Sequence, residues 1–140
     1  MRVEAIHLGA AKEADLWTVD SVSAHAGKGL EGDRHFKENG AKPGQALTLV
    51  EAEVVDGASL PPGGTRRQLT VSGTGLNDLV GKRFKVGDVE CYGVELCEPC
   101  AHLERMNRPG IMRDLVHRAG INADILTGGT ISVGDAVEEL

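Results

Sequence analysis

Apolar and polar residues alternate in short runs along this chain, and most runs end at Gly, Pro or Asp. The runs Arg2 to Leu8, Val19 to Ala24, Ala46 to Val50, Gln68 to Ser72, Arg83 to Val86, Val89 to Leu96 and Thr130 to Val137 predict seven β-strands. Strands this short, separated by turn residues, predict a mainly β fold with short helices, arranged as a barrel or bent sheet. Phe84 to Val89 and Ile131 to Ala136 each carry a Gly-Asp pair between β-prone residues. That pair predicts a two-residue hairpin turn, because Gly reaches the positive φ such turns need. Helical signals are fewer. Glu51 to Ala58 is stopped by Pro61 and Pro62, and Pro99 to Met106 starts on a proline. Ile111 to Ala119 places Ile111, Leu115 and Ala119 on one face, with Gly120 where a left-handed cap belongs. Residues 37 to 44 and 57 to 65 read as loops without the character of a domain boundary, so residues 1–140 are expected to form a single domain.

Composition sharpens this picture. The chain has 140 residues, 41% hydrophobic and 26% charged, but only 3% aromatic and with 19 glycines, which calls for aliphatic packing between turns. A chain this size buries on the order of 65–70% of its unfolded surface, so it can build a core without disulfides or a structural metal. A net charge of -6 excludes a protein whose whole surface tracks nucleic acid or anionic lipid, while leaving room for a local basic pocket. No run approaches the ~18–20 apolar residues of a membrane span, and MRVEAIHLGA is not patterned as a signal peptide. A cytoplasmic location is expected. Three cysteines without a secretory signal then read as reduced thiols or a site.

The chemistry concentrates in Glu95-Leu96-Cys97-Glu98-Pro99-Cys100-Ala101-His102. With Pro99 as first helical residue, Cys100 falls in the first turn, where backbone N–H groups favour an anion and hence a thiolate. Such a thiolate attacks electrophiles, exchanges disulfides with Cys97, or ligates a soft metal. Cys91, alone in a strand, reads as core. Zinc is poorly supported, since only Cys97, Cys100 and His102 are close in sequence, and a thioredoxin-like dithiol would expect a βαβ setting.

Two further clusters carry positive charge. Gly27-Lys28-Gly29-Leu30-Glu31-Gly32-Asp33-Arg34-His35 lets backbone amides approach a ligand while Lys28, Arg34 and His35 attract an anion, although the GK[ST] ending of a nucleotide loop is missing. A glycine turn with solvated charges explains the same residues. Arg66-Arg67-Gln68-Leu69-Thr70-Val71-Ser72, followed by Thr74, Leu76 and Asn77, places Arg67 on the apolar face of a strand and Arg66 on the other. An inward Arg67 needs a partner: a bound phosphate or carboxylate, or an internal acid such as Asp33 or Asp78.

Taken together, GLEGDRH at 29 to 35, RRQLTVSGTGLNDLVGKRFKVGD at 66 to 88, CEPC at 97 to 100 and the closing GGTISVGDAVEEL resemble, in order and spacing, the MOSC domain. The resemblance runs from about Arg2 to Val137. It implies a β-barrel-like domain that binds the molybdenum cofactor (molybdopterin), with Cys100 as metal ligand or sulfur carrier and Cys97 as the second choice. It further implies cofactor contacts from Lys28, Gly32, Asp33, Arg34, His35, Arg67 and Asn77. Where many relatives have Asn after or near this Arg, this chain has Gln68. Neither the pyridoxal-phosphate domain of full sulfurases nor the companion barrel of amidoxime-reducing proteins falls within the resemblance.

The expected function is handling of cofactor sulfur, or reduction of N-hydroxylated small molecules. In the latter His102 or His35 would donate a proton, and a partner reductase would supply electrons, since the chain has no flavin or haem motif of its own. The expected partners are accordingly a small-molecule substrate or cofactor-accepting enzyme, with no nucleic acid or membrane. The alternatives are a persulfide carrier and a thiol-redox module using Cys97 with Cys100. His117 lies off the apolar stripe and is expected to be solvated.

Overall fold

The computed structural model describes residues 1–73 and 75–140; Thr74, named with the Arg66–Asn77 cluster, lies outside the described residues. Among the described residues, eleven strands, three short α-helices and one 3-10 turn run in the order β1 (Arg2–Gly9), β2 (Leu16–Val19), β3 (Ser21–His25), β4 (Gly29–Leu30), β5 (Leu47–Glu51), α1 (Ala52–Gly57), β6 (Leu69–Ser72), the 3-10 turn (Leu76–Leu79), β7 (Arg83–Val86), β8 (Val89–Leu96), α2 (Ala101–Met106), α3 (Ile111–Leu115), β9 (Ile121–Ile125), β10 (Gly129–Ser132) and β11 (Val137–Glu139). Eight strands form one sheet in the order β11-β7-β8-β9-β5-β6-β1-β2, and β10-β3-β4 form a second. The pair β5 and β6 is parallel, crossing over through α1. The large sheet curls until its two ends meet: Val3 N–H donates to Asp135 O at 2.9 Å and Val137 N–H to Met1 O at 2.8 Å. Mainly β with short helices is therefore the observed class.

Burial on both faces of the curled sheet explains the apolar runs. Leu47, Leu49, Leu69, Val71, Phe84, Cys91 and Ile121 fill the interior of the curl. Val50, next to Leu49 and therefore on the opposite face, joins Val54, Val55, Leu103, Ile111 and Leu115 in a second cluster under the helices. That outer layer seats α2 and α3 against the strands that carry the cysteines and arginines.

Several expectations are corrected. Strands β2 and β9 were not anticipated, and β4 falls within the Gly27–His35 cluster, for which a glycine turn was one reading. The hairpin at Gly87-Asp88 forms, with Val86 opposite Val89 and Gly87 at φ 57°. The second Gly-Asp pair does not make a hairpin: β10 pairs with β3 and β11 with β7, and the turn hands the chain from the small sheet to the large one. Helix α3 stops at Leu115 rather than Ala119. The reason is that Glu98 takes the His117 N–H at 2.7 Å, a donor the helix would have needed to continue. Gly120 is not a helix cap; a Cβ there would stand 2.0 Å from Leu49 O, so only glycine lets β9 approach β5.

Candidate functional site

A cleft of about 430 Å³ opens where β6, the end of β8 and α2 converge. Its wall includes Lys12, Arg34, Arg66, Arg67, His35, Gln45, Asn122, Cys97, Cys100 and His102. Four of these side chains are cationic, and no Asp or Glu stands among the described residues that line it. In a chain of net charge -6 that segregation gives the cleft a local positive potential, which favours an anion over a cation.

The cysteine segment is fastened from three directions. Cys97 N–H donates to Gly120 O at 2.8 Å. Arg67 donates through Nη2 to Cys97 O at 3.2 Å and Glu98 O at 3.4 Å, and through Nε to Ala119 O at 2.8 Å. The Glu98 carboxylate grips His117, taking its N–H and standing 2.6 Å from Nδ1. Cys97 is half-buried, and burial pushes its thiol above the usual range despite the opposing charge of Arg67. Cys100 is exposed. It is the N-cap of a six-residue α2 that begins at Ala101, so it precedes the first turn in which it was expected.

Arg66 and Arg67 precede β6, so strand alternation does not separate them, and both line the cleft. The partner of Arg67 is neither Asp33 nor Asp78 but a set of carbonyl oxygens. Asp33 is buried and committed internally: its carboxylate accepts from Gly9 N at 2.9 Å, His35 N at 3.0 Å and Gln68 Nε2 at 2.8 Å. Gln68 completes the strut by accepting from Thr48 N at 2.9 Å. Both ends of its amide are thus consumed inside the protein.

Of the residues expected at a site, Cys97, Cys100, His102, Arg34, His35 and Arg67 meet at this cleft. Asp33 lies beneath it, positioning His35. Lys28, Gly32 and Asn77 do not line it: Lys28 faces Glu38 at 3.5 Å, Gly32 sits in a turn at φ 88°, and Asn77 donates to His117 O at 2.8 Å. His102 is mostly buried, and its Nε2 has no partner among the described residues. Burial pushes the His35 imidazole below its usual range, an effect Arg34 reinforces and Asp33 opposes. Lys12, Gln45 and Asn122 were missed. Asn122 comes from β9, whose alternation Ile-Asn-Ala-Asp-Ile was the available signal; Lys12 and Gln45 come from loops and had none.

The family model for the MOSC domain matches residues 40–138. No curated protein sequence matches the chain. Among solved structures, the YUAD protein from Bacillus subtilis superposes with a TM-score of 0.80 at 18% identity, covering 99% of this chain and 94% of that one. YiiM from Geobacillus stearothermophilus gives 0.72 at 16%, covering 99% and 74%. YiiM from Escherichia coli gives 0.68 at 17%, covering 100% and 70%. At these identities the structural likeness is one of fold.

Proposed function

This chain belongs to the MOSC domain family, and from that premise we propose that it binds the molybdenum cofactor in the Cys97–Cys100 cleft, to handle cofactor sulfur or support reduction of N-hydroxylated small molecules. The observation that carries the reading is the cleft's composition: an exposed thiol in the same lining as four cationic side chains, with no carboxylate among the described lining residues. That donor set suits a group with a soft metal and a phosphate.

In this reading Cys100 is the metal ligand. Arg34 and Lys12, whose side chains have no acidic partner among the described residues, hold the phosphate. Arg67 contributes charge but spends its donors on the carbonyls of Thr65, Cys97, Glu98 and Ala119, so its work is to position the cysteine segment. His102 holds its unpartnered Nε2 ready for a hydrogen bond or proton exchanged with a ligand. Bound cofactor supplies redox chemistry or a sulfur atom; electrons come from a partner reductase, and the beneficiary is a small-molecule substrate or a cofactor-accepting enzyme.

The two thiols test the assignment. In protein from a cofactor-producing host, Cys100→Ser loses bound molybdenum while Cys97→Ser retains it. Loss in Cys97→Ser alone contradicts the ligand assignment. Cyanide-labile sulfur on Cys100 without molybdenum replaces the reading with a persulfide carrier.

A further inference from the structure

Among the described residues, the loop between β1 and β2, residues 10–15, takes its hydrogen bonds to the rest of the protein from one side chain. Arg66 Nη2 donates to Lys12 O at 3.1 Å and Ala14 O at 2.8 Å. Among the described residues these are the loop's hydrogen bonds to the rest of the chain, Ala14 N–H to Ala11 O at 3.2 Å being internal to it. Arg66 adopts φ 60° to make them, a left-handed conformation that is unfavourable for a residue with a Cβ and persists only where its surroundings enforce it. Arg66 also pays a charge penalty: burial and the nearby Arg34 both push its guanidinium below the usual range, with Asp15 opposing.

The loop so held puts Lys12 in the cleft wall, exposed and without an acidic partner among the described residues. Glu13, from the same loop, lies outside the lining and faces His102 Nδ1 at 3.9 Å. A strained, mutually repelling arrangement that presents a further cation to a carboxylate-free cleft has a use if the ligand entering there is anionic.

We propose that Lys12 is a specificity residue favouring anionic ligands in this cleft, and that Arg66 is the positioning residue that delivers it. The inference takes from the proposed function only that ligands enter this cleft; it does not require molybdenum.

The test uses the Cys100 thiol as reporter, in a Cys97→Ser background, with two disulfide reagents at one pH: dianionic 5,5′-dithiobis(2-nitrobenzoate) and neutral 4,4′-dithiodipyridine. In each reaction the thiolate attacks one reagent sulfur, the reagent's S–S bond breaks, a mixed disulfide forms, and an aryl thiolate leaves while the thiol proton goes to solvent. The ratio of the two rates cancels the thiolate fraction and reads the charge felt by the reagent.

Lys12→Gln lowers the anionic-to-neutral ratio about threefold at low salt, and high salt removes the difference. Arg66→Lys keeps the charge, but its shorter side chain does not carry an amine as far as Nη2, the one nitrogen that makes both loop bonds, so the ratio falls as in Lys12→Gln. The double variant falls no further. Arg66→Gly, which suits the positive φ, provides a second background, and there too Lys12→Gln has no effect. An unchanged ratio in Lys12→Gln overturns the specificity role. Additive losses in the double variant, or a persisting Lys12→Gln effect in the glycine background, overturn the positioning role. A chain that binds no molybdenum can pass this test, and one that binds it can fail.

Discussion

The guanidinium of Arg67 stands 3.2 Å from the carbonyl oxygen of Cys97, and the same Nη2 reaches Glu98 O at 3.4 Å. A half-buried cation held by carbonyls rather than by a carboxylate fixes the main chain of the cysteine segment while leaving its charge available to the cleft. Arg67→Ala leaves several of these carbonyls without a donor and should destabilise the fold by about 1–3 kcal/mol in urea unfolding. Arg67→Lys should recover little of this, because an ammonium cannot reach carbonyls on separate segments at once. Recovery of full stability in Arg67→Lys would show that charge alone matters.

Asp33 and Gln68 form the buried strut beneath the cleft. Asp33→Ala strands the donors of Gly9, His35 and Gln68, each costing about 1–3 kcal/mol, and the expected outcome is a loss of at least about 3 kcal/mol. Gln68→Asn should also destabilise, since the amide, shortened by one methylene, no longer spans from Thr48 N to Asp33. Denaturant midpoints at constant m decide both; wild-type stability in Gln68→Asn would mean the strut relaxes freely.

Stability should depend on pH at both ends. Burial pushes the Cys91 thiol up from 9.0 to about 12, with Asp124 adding to the effect. The folded chain therefore keeps a proton that the unfolded chain releases, so stability falls as pH rises from about 9 to about 12, by no more than about 1.4 kcal/mol per pH unit from this group. Burial lowers His7 and His35 from 6.5, so on acidification the unfolded chain binds protons first and stability falls below about pH 6.5. Cys91→Val should flatten the alkaline limb and His35→Asn should shallow the acidic one, as read from thermal midpoints.

The β-class and the hairpin at Gly87-Asp88 were legible because each rests on local chemistry, and both cysteines of the CEPC segment line the cleft. The glycine cluster was misleading. Gly29 and Gly32 turn the chain so that β4 can form and Asp33 can be buried, while only the following Arg34 and His35 reach the cleft. Strand alternation puts Arg66 on the face opposite Arg67, a rule that fails because the strand begins at Leu69. Helix α3 was drawn too long because Glu98, distant in sequence, competes for the His117 amide. The loop residues Lys12 and Gln45 carry no local signal; tertiary folding alone brings them beside the cysteines.

The most direct measurement of the central claim is molybdenum and pterin content per chain, by elemental analysis and oxidised-pterin fluorescence, on protein purified from a cofactor-producing host. The account predicts near-stoichiometric amounts of both. Well-folded protein that carries neither would contradict it.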